Sequence, residues 1–176
     1  MKPGPKSSPP EPAPLLAFGA HPDDIEFGCG GIMARETHAG RPVHFVVCSR
    51  GEAGTHGTPA QRTTEARRAA KLLGATIEFA DLGGDAHVEE KSVHVVTLAK
   101  IIRRMRPGFV LVPSTVENQH PDHYKLGRMV RDAARLARQG LSRDGSSCSE
   151  PRCDAAFMAR IPATKSAISC ALPAPA

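Results

Sequence analysis

Two short clusters in this 176-residue chain gather the residue types that hold metals and move protons: His21-Pro22-Asp23-Asp24 and His120-Pro121-Asp122-His123. Imidazole nitrogen and carboxylate oxygen both suit zinc, and a catalytic zinc takes three protein ligands while leaving a fourth position to water. Two histidines and one carboxylate complete that set. The proline in each cluster fixes its own φ and restricts the residue before it, so the backbone aims the flanking side chains. Either cluster alone reads as a polar turn with helix-capping aspartates. Both together, each following an apolar run, read as the two halves of one metal site. The remaining histidines, His38, His44, His56, His87 and His94, have no partner at ligand spacing and read as structural or exposed.

Such a site requires a fold that brings distant loops together. Short apolar runs alternate with helical patterns: residues 15–19 then 25–38, 43–49 then 60–73, 76–80 then 92–105, and 109–113 then 122–138. Four strand-then-helix units predict an α/β fold, a Rossmann-like three-layer sandwich with a mostly parallel sheet. The helices rest on spacing, since Val95, Leu98, Ile102 and Met105 recur at three and four residues, as do Ala66, Ala69, Ala70 and Leu73. Gly40 with Pro42, then Gly74, then Pro107 with Gly108 mark where the first three helices stop. With the usual winding outward from the first strand, the fourth strand pairs on its other side. The two clusters then flank one crevice at the C-terminal ends of the strands, where open α/β sheets bind ligands. A dinucleotide is not the expected ligand: Gly28, Gly30 and Gly31 fall inside the first predicted helix and do not make G-x-G-x-x-G.

Composition narrows the setting. With no Trp, one Tyr and 4% aromatic residues, the core must be filled by Val, Ile, Leu, Met and Ala, which suits helices packed on a sheet. The net charge of +5 does not imply a nucleic-acid partner, because Arg128, Arg131, Arg135 and Arg138 lie opposite Leu126, Met129, Val130 and Ala133, as on a solvated helix face. Five cysteines form an odd set without a metal-finger spacing, and Cys29 and Cys48 fall in apolar stretches, which fits a reducing, cytoplasmic protein. The apolar run from Leu15 to Ala20 is too short for a membrane span, so a soluble chain is expected. Residues 1–14, with six prolines, read as a disordered N-terminal tail; residues 15–139 read as the α/β domain. Residues 140–176 keep no sustained period and read as an atypical, truncated or poorly ordered segment. Within it, residues 155–161 are the one candidate element, and Cys148 and Cys153 read as free thiols.

At the two clusters the sequence resembles the PIG-L/LmbE family of zinc de-N-acetylases, whose hallmark is a strand ending in A-H-P-D-D and a later H-x-D-H. Here these are Ala20 to Asp24 and His120 to His123. The likeness continues through Ser49-Arg50-Gly51-Glu52-Ala53-Gly54, Gly57-Thr58-Pro59, the Arg62, Glu65, Ala66 pattern, Leu73-Gly74 and Arg106-Pro107. Within the family it looks most like the bacterial enzymes that deacetylate a GlcNAc conjugate in bacillithiol or mycothiol synthesis. The resemblance implies an enzyme, a hydrolase that removes the N-acetyl group from a small-molecule N-acetylated sugar conjugate. It assigns His21, Asp24 and His123 as zinc ligands, Asp23 as general base and His120 as the group stabilising the developing oxyanion.

Each role has a physical reason. Zinc lowers the pKa of its water to about 7, and a nearby carboxylate can take the remaining proton. A protonated His120 offers positive charge and a hydrogen bond to the tetrahedral intermediate, and Asp122 reads either as the carboxylate favouring that imidazolium or as a helix cap. Arg62 matches a family arginine near the sugar or its aglycone, and reads equally as a surface arginine opening the second helix. The family's acidic, glycine-containing turn after strand three is ambiguous by one residue here, so neither Asp81 nor Asp85 receives a role. Its further strands and histidine-bearing closing segment are not legible in residues 140–176. The same ligands accept Fe2+ or another divalent metal, and a homo-oligomer stays open. Two alternatives stand beside this reading: a non-haem iron enzyme with the same two-His, one-carboxylate set, expected on an all-β jelly roll, and a catalytically impaired, truncated family member.

Overall fold

The computed structural model describes residues 12–117 and 120–138, together with the backbone of 157–161. Residues 1–11 of the tail expected over 1–14, and most of the segment expected over 140–176, lie outside the described residues, as do Cys148 and Cys153. Strands and helices alternate along the chain: β1 (Leu15–Gly19), α1 (Asp24–His38), β2 (Val43–Val47), α2 (Pro59–Leu72), β3 (Thr76–Phe79), α3 (Ser92–Met105), β4 (Phe109–Pro113), α4 (Pro121–Arg138) and β5 (Phe157–Ile161). The strands pair in the order β3-β2-β1-β4-β5, every neighbour parallel. β1 therefore has β2 on one side and β4 on the other, the switch point expected from the winding.

Side chains along the central strands alternate between two apolar layers, as the two-residue repeat of a strand dictates. Leu16, Phe18, Val46, Val110 and Val112 meet Leu98, Ile101 and Ile102 of α3 and Leu126, Met129, Val130 and Ala133 of α4. Leu15, Ala17, Val43, Phe45, Val47 and Leu111 meet Ile25, Cys29 and Met33 of α1 and Ala70 of α2 on the opposite face. Burial on both faces explains why the strands read as unbroken apolar runs. The arginine stripe of α4 is exposed, while its opposite face is buried. Cys29 and Cys48 are free and buried. No helix among the described residues is long and apolar enough to cross a membrane.

Three local features add to the sequence expectations or depart from them. β5 falls within residues 155–161, the one candidate element of the segment expected to be atypical, and pairs with β4 in the register Phe109↔Phe157 to Pro113↔Ile161, so a fifth strand extends the sheet. Its five residues are too few to establish a period. Ala13 and Pro14, assigned to the tail, are tied to the domain: Gly108 N–H donates to Pro14 O at 2.9 Å and Arg41 Nη1 to Ala13 O at 2.6 Å. Helix α1 is broken at Cys29 (φ −152°, ψ 21°), where Gly28, Gly30 and Gly31 supply little helix propensity to resist a kink.

Candidate metal centre

The first half of the site is the turn between β1 and α1. Asp24 closes it, its Oδ2 accepting the N–H of Ala20 at 2.8 Å and of His21 at 2.9 Å. These bonds anchor its carboxylate over the end of β1. Asp23 occupies the left-handed region at φ 102°, an unfavourable conformation for a residue with a Cβ, of the kind that persists where surrounding contacts enforce it. Arg62, reaching from α2, supplies such contacts: its Nη2 donates to Pro22 O at 2.8 Å and to Asp23 Oδ2 at 3.2 Å. The α2 end that carries Arg62 is fixed by a capping box between Thr58 and Gln61, with Pro59 opening the helix.

The second half comes from the start of α4. A Cβ on Gly127 would lie 2.5 Å from Pro113 O and 2.8 Å from Ser114 O, so only glycine lets α4 lie this close to the end of β4. That approach carries His120, Asp122 and His123 over the crevice. The rings of His21 and His120 are 4.5 Å apart between centroids, those of His21 and His123 5.3 Å, and those of His120 and His123 5.7 Å. Residues about a hundred positions apart in sequence thus converge at the C-terminal ends of β1 and β4.

The donor atoms of His21, Asp24 and His123 lie within 4.8 Å of one another. His123 Nε2 is 3.2 Å from Asp24 Oδ1, and His21 Nδ1 is 3.5 Å from Asp24 Oδ2. Ligands about 2.1 Å from a tetrahedral zinc stand about 3.4 Å apart, so this spacing suits such an ion. His123 Nε2 is buried and faces Asp24 Oδ1 without a well-aligned hydrogen bond, a position open to a metal ion. A second group, His21, Asp85, His120 and Asp122, adjoins the first and shares His21. His38, His44, His56, His87 and His94 belong to neither group; His44 instead contacts Thr76 and Glu78.

Charge is strongly organised here. Burial alone would lower the His21 pKa, but Asp24, Asp85 and Asp122 outweigh it and raise the value to about 9. Burial alone would raise that of Asp24, but its contacts with His123 and His21 hold it well below the usual carboxylate range. Asp23 shifts upward, chiefly through burial and against the pull of Arg62, which suits a proton acceptor better than a fully solvated carboxylate would. For His120, expected as an imidazolium, the shift in the metal-free protein runs downward. Burial, then the neighbouring His21 charge, lowers its pKa, and its Nδ1 accepts the Asp122 N–H at 3.2 Å. The Asp122 carboxylate, 4.0 Å from that nitrogen, does not overcome these effects. With Nδ1 accepting the Asp122 N–H, the ring proton of His120 sits on Nε2, which remains a hydrogen-bond donor.

Two contributors were not assigned from sequence. Asp85, buried on the β3–α3 loop, places Oδ1 3.1 Å from His21 Nε2. Glu52 joins two loops by accepting the N–H of Arg50 and of Asp85, each at 3.0 Å. The Ser49 to Gly54 motif already pointed to Glu52. For Asp85 the one-residue ambiguity of its turn hid the signal.

Comparison with known proteins follows the same outline. The family profile described as PIG-L: GlcNAc-PI de-N-acetylase matches residues 16–134. The uncharacterized deacetylase YaiS of Escherichia coli is 34% identical over 135 residues, 72% of this chain and 71% of that protein. The diacetylchitobiose deacetylase of Thermococcus kodakarensis is 31% identical over 135 residues, 70% of this chain but 49% of its own length. The solved structure of a 4-carboxy-2-hydroxymuconate hydratase from Pseudomonas putida aligns with a TM-score of 0.67 at 30% identity, covering 75% of this chain and 60% of that one. The chain thus spans about half the length of the second relative and somewhat more of the other two. The paired motifs, the parallel sheet and the profile match together place this chain in the PIG-L family.

Proposed function

We propose that the chain is a metal-dependent N-deacetylase of N-acetylglucosamine-type conjugates, with His21, Asp24 and His123 holding a divalent ion, zinc by preference. The observation that carries this reading is the convergence of donor atoms of His21, Asp24 and His123 within 4.8 Å of one another, with the general-base candidate Asp23 next in sequence to a ligand. An ion bound there supplies Lewis acidity, polarising the amide carbonyl and making water acidic enough to lose a proton near neutral pH. Asp23, its side chain 47% exposed and held by Arg62, takes the proton of the attacking water. His120 donates through Nε2 to the oxygen on which negative charge develops. The protonated Asp23 carboxyl then returns its proton to the departing amine nitrogen, leaving acetate and a free amino sugar. Arg62 has a second task in this scheme, because its guanidinium fixes Asp23 rather than standing wholly free for substrate.

The α/β scaffold speaks against the jelly-roll iron oxygenase alternative. A hydratase reading has its own support, since the 4-oxalmesaconate hydratase of Pseudomonas putida is 31% identical over 134 residues. The test is zinc content by elemental analysis beside two assays, acetate release from N-acetylglucosamine conjugates and water addition to 4-oxalmesaconate. Deacetylation that disappears with His123→Ala supports the proposal. Hydration without deacetylation, or full zinc content in both Asp24→Ala and His123→Ala, refutes it.

A further inference from the structure

His21 stands between carboxylates on both edges of its ring, and that position decides which nitrogen faces the metal. Nδ1 lies 3.5 Å from Asp24 Oδ2, on the side of the ligand set. Nε2, on the far edge, is hydrogen-bonded to Asp122 Oδ2 at 3.3 Å and lies 3.1 Å from Asp85 Oδ1.

Both far-edge aspartates are anchored by hydrogen bonds, Asp122 through its carboxylate and Asp85 through its backbone. Asp122 is fully buried, and its Oδ2 also accepts the Ala86 N–H at 2.8 Å. Asp85 is fixed through its own N–H, which donates to Glu52 Oε2 at 3.0 Å. Gly83, Gly84 and Ala86 all have positive φ, at 110°, 91° and 62°, and bend the β3–α3 loop so that Asp85 reaches His21. A left-handed alanine costs conformational energy that its surroundings must offset, and the Asp122 bond to its N–H is one such contact.

We infer that Asp122 and Asp85 are positioning residues that hold His21 donating through Nε2 and presenting Nδ1 to the metal. The inference rests on His21 being a ligand, as proposed above. A metal-bound imidazole ordinarily donates its other N–H to a carboxylate or carbonyl, which fixes tautomer and ring orientation. Sequence reading offered Asp122 to His120 instead. The geometry gives it to His21, because His120 Nδ1 is already taken by the Asp122 backbone N–H.

Zinc affinity of the metal-free full chain, measured by competition with a chromophoric chelator, tests this. Asp122→Asn and Asp85→Asn are each expected to weaken zinc binding by about 10- to 100-fold. His120→Ala, which also removes a neighbour of Asp122, leaves the affinity near that of the unmodified chain, whereas His21→Ala abolishes tight binding. A long-range proton–nitrogen correlation spectrum of the zinc-loaded unmodified chain is expected to show His21 coordinated through Nδ1 with its proton on Nε2. Coordination through Nε2 overturns the positioning role even where a carboxylate variant fails to fold. Undiminished affinity in both carboxylate variants, alongside loss in His21→Ala, also overturns it while leaving the metal site standing. Undiminished affinity in His21→Ala removes the ligand assignment and the inference with it.

Discussion

Zinc binding to this chain is expected to strengthen with pH and to expel at least one proton, because one ligand begins the reaction protonated. In the metal-free protein His21 titrates at about 9, against an ordinary value of 6.5. A metal binds the neutral imidazole, so at pH 7 only about one molecule in a hundred has His21 ready, and apparent affinity is about 100-fold, or about 3 kcal/mol, below its high-pH limit. From pH 6.5 to about 8 the logarithm of the association constant should therefore rise by close to one per pH unit, levelling off through about 9 as His21 becomes neutral. Titration calorimetry in buffers of differing ionisation enthalpy counts the protons released, and zinc held by a calibrated chelator keeps the free ion defined across the range. The same shift has a folding counterpart. Because the folded value lies above the ordinary one, His21 stabilises the metal-free fold fully below pH 6.5 and loses that contribution as pH rises towards about 9. Zinc affinity that stays flat over this window, with no buffer-dependent heat, refutes the account of a carboxylate-charged His21.

Within the clusters, neighbouring residues should fail differently: Asp23→Asn is expected to keep zinc and lose about a hundredfold to ten-thousandfold in turnover. His120→Ala is likewise expected to keep zinc and lose about a hundredfold to a thousandfold. Elemental analysis beside acetate release checks both, and loss of metal in either variant contradicts the division of labour. Arg62 pulls the Asp23 pKa down against its burial, so Arg62→Met should move the acidic limb of the kcat/KM profile upward, whereas an unmoved limb means Asp23 is not the base seen in that profile. Gly127→Ala forces a Cβ against the Pro113 and Ser114 carbonyls and is expected to cost about 1–3 kcal/mol, read as a lowered Tm with weakened zinc binding.

The sequence by itself determined the alternation of strand and helix, the apolar faces of α3 and α4, and the positions of both clusters, because these follow from local periodicity and from prolines that act on their immediate neighbours. The expected boundaries of α3, β1 and β4 coincide with those observed. Packing decided the rest. That Asp122 serves His21 rather than His120 depends on which face of α4's first turn meets the β3–α3 loop, and no repeat within either segment encodes that meeting. The downward shift of the His120 pKa arises from burial and from a charge about a hundred residues away, both properties of the assembled crevice. Asp85 became assignable only once three positive-φ residues bent its loop across the sheet end, and β5 only once β4 offered an edge to pair with. Local pattern fixes what each segment is. Hydrogen bonds and charges formed between distant segments fix what its polar side chains do.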